Sequence, residues 1–348
     1  MTTANRIDDM DIEVWDQLGA GTPFSSARWS RLAEQIVEDF DARYILLTRD
    51  RKPVGRASVA FEKNPGMSIS QPLMRAFVTR LLSQYPMVYC HAPPANIAQM
   101  SGLILPPGDE VAALHLIHDT LWQIAAVRPS SYLVMGWLSA HERQFIEQLE
   151  GYTLLPDSNM VLELSAPSFD KFIEKLSKSA RRNFRDNNKF AEEMNLRVER
   201  ATHYSQHSER LWELINNVDD HHKNVGTTPY HRDAFATIER DFAGQQTMLL
   251  AWAGEKLVGC LLLLHDQGVL RITLIGRDYD YEYVYFQIFY EMVRYAIEHG
   301  LQRIYGGTGA EQFKRSLGFQ DVPTYIAMTA QAQLLRWLAT RIQRQWSS

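Results

Sequence analysis

At 348 residues the chain exceeds the ~100–200 usual for one domain, so two domains are expected. An apolar fraction of 45%, with 8 Trp, 15 Tyr and 15 Phe, supplies sizeable cores and excludes a disordered chain. The net charge of -5 excludes polyanion binding by the molecule as a whole but leaves room for a local basic face. Cys90 and Cys260 are the two cysteines, each beside apolar residues. That usage fits buried thiols in a reducing cytoplasm better than a disulfide scaffold. The first fifteen residues are acidic and carry no apolar core, which argues against a secretory signal. The apolar run 258–264 is far shorter than the ~20 residues that span a bilayer. A cytoplasmic protein with no membrane span is expected.

In chain order, Ser25 or Ser26 caps a helix over 29–37, followed by strands at 44–48 and 54–61 around an Asp50, Arg51, Lys52, Pro53 turn. Leu114, Ile117, Leu121 and Ile124 give 111–127 a helical apolar face. A strand at 132–137, a helix at 141–149 and a strand at 151–164 complete the first half. Ala166, Pro167 and Ser168 break the chain, with Ser168 as the next N-cap. A helix at 230–242, strands at 247–252 and 258–264, and a strand at 270–275 then repeat the earlier order. This predicts a diverged tandem duplication, with domains at 1–165 and 166–348. The last segment, 331–346, sets Leu334, Leu335, Leu338 and Ile342 opposite Arg336, Arg341 and Arg344, a docked terminal helix.

Several familiar chemistries fail on spacing. Gly307, Thr308, Gly309 is followed by Gln312 where a dinucleotide fingerprint needs its third glycine. Arg315 stands where a phosphate loop needs Ser or Thr. His141 and Glu142 are followed by Phe145 where a zincin needs His, and the other histidines lack a completing Cys or carboxylate cluster. No metal is expected. The segment 178–189 is more informative, with Lys178, Arg181, Arg182, Arg185 and Lys189 against Asp186. Arg181 and Arg185 share a helical face, and guanidinium groups take phosphate oxygens in pairs. A solvated basic helix is the competing reading.

Residues 270–319 read as a strand, an Arg-led connection with Tyr279, Tyr281, Tyr283 and Tyr285, an amphipathic helix, a strand and a glycine-rich turn. The turn, Gly306, Gly307, Thr308, Gly309, delivers Glu311, Phe313 and Lys314 just past a strand end, where α/β sites are usually built. The ordered set resembles the FemABX-like family of tandem acetyltransferase-fold proteins. It comprises Trp15, Pro23, Phe24 and Trp29; the 176–185 helix; Gly276, Arg277; Ala296, Ile297, Glu298, His299, Gly300; and Phe313, Lys314 with Gly318, Phe319.

The resemblance implies an α/β fold of two tandem acetyltransferase (GNAT)-like domains, each a mixed twisted sheet flanked by helices, with the active site in the C-terminal one. It also implies an N-acyltransferase that forms an amide bond. The backbone of Leu274, Ile275 and Gly276 would polarise the acyl carbonyl, and Lys314 would steady the oxyanion or the departing ribose oxygen. Apart from the resemblance, His222 is the candidate for proton transfer, because a histidine changes charge near neutral pH, with an exposed loop histidine as the competing reading. Arg277, Arg181, Arg185, Phe313, Lys223 and Tyr285 are the expected substrate-binding residues. The stretch 277–283 has no glycine and three carboxylates, which opposes the pyrophosphate of an acyl-CoA. Aminoacyl-tRNA is therefore the expected co-substrate, held through the basic face, with no tightly bound cofactor and acyl-CoA as the alternative. The acceptor is an amine, either a small-molecule intermediate or a cell-wall precursor. A catalytically silent binding module on the same fold is the reading from another class.

Overall fold

Apolar runs in each half of the sequence build mixed sheets, one described for each unit, in the computed structural model. It describes residues 1–19, 23–63, 69, 71–93, 98–224 and 230–346. The chain forms two compact units, described in turn: Met1–Ser158, Lys223–His231 and Pro323–Ser348 make unit 1, and Asn159–His222 and Arg232–Val322 make unit 2. The division is thus not one cut near Pro167, because two later segments return to unit 1.

The strands of unit 1 are β1 (Thr2–Ala4), β2 (Ala42–Arg49), β3 (Lys52–Glu62), β4 (Met87–Cys90), β5 (Leu103–Ile104) and β6 (Leu133–Leu138). Strand β7 (Thr153–Glu163) begins in unit 1 and ends in unit 2, and β13 (Gln320–Thr329) does the reverse. The unit 1 order is β1-β2-β3-β4-β6-β13, with β5 on β3. Its helices are α1 (Ile12–Leu18), α2 (Ala27–Ile36), α3 (Pro72–Gln84), α4 (Glu110–Val127), α5 (Ala140–Ile146) and, near the C-terminus, α12 (Gln333–Trp346). Ser26 is the cap of α2, accepting the Trp29 amide at 3.1 Å. The α4 face of Leu114, Ile117 and Leu121 packs on Ile45, Val59, Val88 and Met135, as its spacing predicts.

Unit 2 contains α6 (Phe169–Lys175), α7 (Lys178–Glu193), β8 (Leu196–Ala201), α8 (Ser208–His222), α9 (Ala234–Asp241), β9 (Gln246–Ala253) and β10 (Lys256–Asp266). It continues with β11 (Val269–Arg277), α10 (Val284–Glu298), β12 (Arg303–Tyr305) and α11 (Glu311–Ser316). Its sheet runs β7-β12-β11-β10-β9-β8. Ser168 caps α6 through the Lys171 amide at 3.3 Å. The helix expected from 230 begins only at Ala234, because Tyr230 is drawn into an isolated bridge with Val37 of unit 1's own fold. Val284, Ile288, Phe289, Met292 and Val293 of α10 bury one face among Leu249, Leu261, Leu263 and Ile304. Burying that apolar face contributes to the unit's stability at ~25 cal/mol per Å² removed from water.

Candidate active site

One edge of β11 opens partway along its length. The strand pairs in parallel with β12 only at Val269, Leu270 and Arg271, opposite Arg303, Ile304 and Tyr305. Among the described residues, 272–277 have no β12 partner; Ile272, Ile275, Gly276 and Arg277 pair with β10, and the register skips Thr273 and Leu274. A register shift between Leu261 and Leu263 marks a bulge here, the device that bends a strand away from its neighbour. Beyond Tyr305 the other chain follows β7 instead: the Gly306 amide donates to Met160 O at 2.7 Å, and the Met160 amide to Gly307 O at 3.4 Å. The two parallel chains therefore part, leaving an opened edge beside Ile275 and Gly276.

Helix α8 sets one wall of this opening. A Cβ at Gly276 would lie 2.7 Å from Leu214 C and from Ile215 N, so only glycine lets the α8 backbone come this close. Burial pushes the Cys260 thiol up to about 12, against the opposing pull of a hydrogen bond with the Gly276 backbone. The last turn of α8 brings His221 and His222 to the strand end. His221 stacks on Tyr279 at 3.9 Å, and the Arg277 guanidinium lies over the other partner's ring, 4.3 Å from the Tyr279 centroid. Burial, with His221 and Arg277 nearby, pushes His222 below its ordinary value, while Asp219 opposes the shift. Arg277 Nε is buried without a hydrogen-bond acceptor. The charge of Arg277 also reaches Tyr285, whose phenol burial pushes well up. These contacts bring Ile275, Gly276, Arg277, His222 and Tyr285 into one neighbourhood.

Tyr285 continues the neighbourhood to the opposite lip, its ring 5.6 Å from Phe313. Phe313 also meets Phe286 at 4.8 Å and Phe289 at 5.8 Å. Next to it Lys314 is 1% exposed, so its ammonium does not stand free in the opening. Nζ donates to Gly306 O at 2.6 Å, Thr308 O at 2.9 Å and Gly307 O at 3.2 Å. An ammonium has three protons, and all three are used. Burial pushes Lys314 down to about 8, against the weaker pull of Glu311. The turn it cages has left-handed backbone at Gly307 (φ 66°), Gly309 (φ 79°) and Ala310 (φ 48°). Asn159 accepts the Gly307 amide at 3.1 Å and fixes the turn from the other side.

The connection from β11 to α10 is braced rather than open. Asp278 pairs with Lys256 at 3.0 Å and Arg210 at 3.1 Å. Burial works against its charge, but Lys256, the Asp280 amide and Arg210 together hold Asp278 below the usual carboxylate range. Tyr283 stacks on Phe190 at 4.8 Å and stands at the α10 N-terminus without a side-chain cap bond. Arg210 and Lys256 were missed in the sequence, where neither stands in a motif that links it to position 278.

The basic helix divides its cations. Arg181 donates to Leu176 O at 2.6 Å and Glu174 O at 3.0 Å, capping the preceding helix instead of facing solvent. Arg185 is exposed, with Lys178, Arg182 and Lys189. Arg182 and Lys189 make loose i,i+4 pairs, at 3.5 Å to Asp186 and 3.8 Å to Glu193. Lys223 belongs to unit 1, exposed with φ 56°, and its carbonyl accepts the Ile69 amide at 3.1 Å. Among the described residues, no three His, Cys, Asp or Glu side chains cluster as a metal site. No helix there is long and apolar enough to cross a membrane.

Residues 6–345 match the FemAB-like family profile, described as peptidoglycan biosynthesis/recognition, and the chain belongs to that family. The expected class, a transferase on a tandem acetyltransferase fold, therefore stands. Among solved structures, FemX shares 12% identity at a TM-score of 0.58, covering 97% of this chain and 99% of its own. L-PGS from Bacillus licheniformis shares 10% at 0.58, covering 98% of each. A tandem GNAT protein from the clavulanic acid biosynthesis pathway shares 9% at 0.57, covering 94% and 98%. No protein of curated function matches by sequence.

Proposed function

We propose that the chain transfers an aminoacyl group from aminoacyl-tRNA to an amine acceptor and forms an amide. The observation that carries this reading is the opened β11 edge. Backbone N–H groups of 272–277 that β10 does not use can polarise the ester carbonyl, as donors aimed at a developing oxyanion do. The amine nitrogen attacks the ester carbon, a C–N bond forms, and the C–O bond to the ribose breaks. His222, kept neutral near pH 7 by its surroundings, takes the amine proton, which ends on the departing ribose oxygen. Arg277 meets a phosphate or carboxylate of one substrate.

Lys314 acts as a positioning residue in this scheme. It draws three carbonyls inward, and in trans peptides the following amides then point away from the lysine. Asp280 and Glu282 crowd the approach to α10 and disfavour the pyrophosphate of an acyl-CoA, while Asp278 is already paired with Lys256 and Arg210. The exposed cations Lys178, Arg182, Arg185 and Lys189 offer a face for tRNA phosphates, and charged tRNA places the reaction in the cytoplasm. FemX and L-PGS share the fold, and the family description favours a peptidoglycan precursor as acceptor over another small amine.

The test is amide formation from charged tRNA and, separately, from acyl-CoA, with a panel of peptidoglycan precursors and small amines. Product from charged tRNA alone is expected. Product from acyl-CoA alone would overturn the reading, and ligand binding with no product from either donor would leave a binding module.

A further inference from the structure

Unit 1 holds a buried arginine that the transfer chemistry does not use. Arg56 sits in the middle of β3, a strand buried residue after residue, and is 2% exposed. A buried guanidinium is costly unless something accepts its protons. Arg56 Nε and Nη2 have no acceptor. Asp16 is the acid whose charge reaches it, but that carboxylate takes the Ala27 amide at 2.7 Å. The guanidinium lies over Trp15, with Cζ 4.2 Å from the ring centroid. Trp15 is itself fixed by its indole N–H, which donates to Ser25 O at 3.2 Å.

The contact with the Trp15 ring leaves the edge. Nε and Nη2 share one edge of the guanidinium, the side that takes both oxygens of a carboxylate or phosphate in parallel. That arginine lines a narrow cavity whose enclosed part has room for about one water-sized group, and which opens to solvent at its mouth. Ser25, Ser58, Ser101 and Gly102 line it too. Ser101 Oγ accepts the Leu103 amide at 3.2 Å, and its own proton can turn inward.

We propose that Arg56 anchors an anion site in unit 1, which takes one carboxylate or phosphate group of a small ligand with the body of that ligand at the mouth. Every residue of the site belongs to unit 1, so the inference stands independently of the transfer reading. Thermal unfolding of the full chain at constant ionic strength tests it, with inorganic phosphate and acetate titrated separately against chloride. The wild-type Tm should rise and saturate with one of the two, as for any ligand that binds only the native state. A phosphate response alone identifies a phosphate-bearing ligand, and an acetate response alone a carboxylate-bearing one. Arg56→Met should abolish the response while unfolding at the same or a higher temperature, since an unpaired buried charge is gone.

Gly19→Ala serves if Arg56→Met fails to fold. Its backbone at φ -91° accepts alanine, but the new Cβ would fall 1.9 Å from Nη2 and displace the guanidinium. Affinity should fall ~tenfold, the loss of a hydrogen bond to a charged group. The proposal is overturned if the wild type responds to neither anion, if Arg56→Met responds as the wild type does, or if Gly19→Ala binds with unchanged affinity.

Discussion

In unit 1 the parallel pair β4–β6 runs from Val88 opposite Leu133 to Cys90 opposite Met135, and β4 ends there. In unit 2 the corresponding pair, β11–β12, ends at Arg271 opposite Tyr305, but β11 continues to Arg277. Each second strand passes next to a glycine, Gly136 in one unit and Gly306 in the other. The Tyr89 ring of β4 covers Gly136 so closely that a Cβ would meet it at 2.3 Å, whereas Gly306 is met by Phe319 from outside the pair. One scheme of strand, crossover helix and parallel strand thus gives a seam closed by its own first strand, or an edge left open. The number of residues past the last pair decides which unit keeps an open edge.

The largest effect should come from Lys314→Ala, which strands the buried carbonyls of Gly306 and Gly307 and the part-buried one of Thr308 in unit 2. A loss of ~3–5 kcal/mol in urea unfolding is expected. The wild type should also show a pH signature. Burial places the folded Lys314 near about 8, below its ordinary 10.5. Between those values the unfolded chain binds more protons, so this group makes stability rise with pH across that window. Lys314→Met should lack the rise, and equal slopes in both proteins would remove the assignment.

Next come paired glycine substitutions that set the two seams against each other. Gly276→Ala meets the α8 backbone at 2.7 Å, which cannot rotate away, and should cost ~3 kcal/mol together with activity. Gly136→Ala meets the end of the Tyr89 side chain, which can yield, and should cost ~1 kcal/mol with activity kept. Equal losses would erase the distinction between the seams.

Arg277→Gln should lower kcat/KM by ~10–100-fold, the loss of one charge-assisted contact, while Tm stays put. The smallest change expected is in the pH–rate profile. Because His222 titrates below its ordinary 6.5, the rate should fall only on acidification past that point, and His222→Asn should flatten the acid limb.

The order helix, strand, turn, strand was legible in both halves because alternation and turn residues are local signals. Ser168, the α4 face and the basic helix follow from single positions or short spacings. Helix α3 was not legible, since Leu73 and Phe77 are exposed and blur its apolar face. Strand β4 is four buried residues, too short for a period to emerge. The neighbourhood of Arg277, Tyr285, Phe313 and Lys314 could be nominated from residue order, but not the state of its lysine. Nothing local to Lys314 announces that carbonyls six to eight positions earlier will take all its protons. Arg56 had a signal that went unread, a lone cation in the small and apolar run 54–61. Arg181 shows the converse, a helical-face argument that could not foresee carbonyls at the end of the preceding helix.

Strand β13 and helix α12 bear on how the protein is made. Residues 323–348 complete the unit begun at Met1, yet all of unit 2 is translated before them. Chains generally fold domain by domain from the N-terminus during synthesis. Here the earlier unit must wait on the ribosome without the partner strand of β6, while the later unit can assemble up to Val322. Birth order and completion order are therefore reversed, and a nascent chain stalled before residue 323 should expose Val134 and Met135 to chaperones.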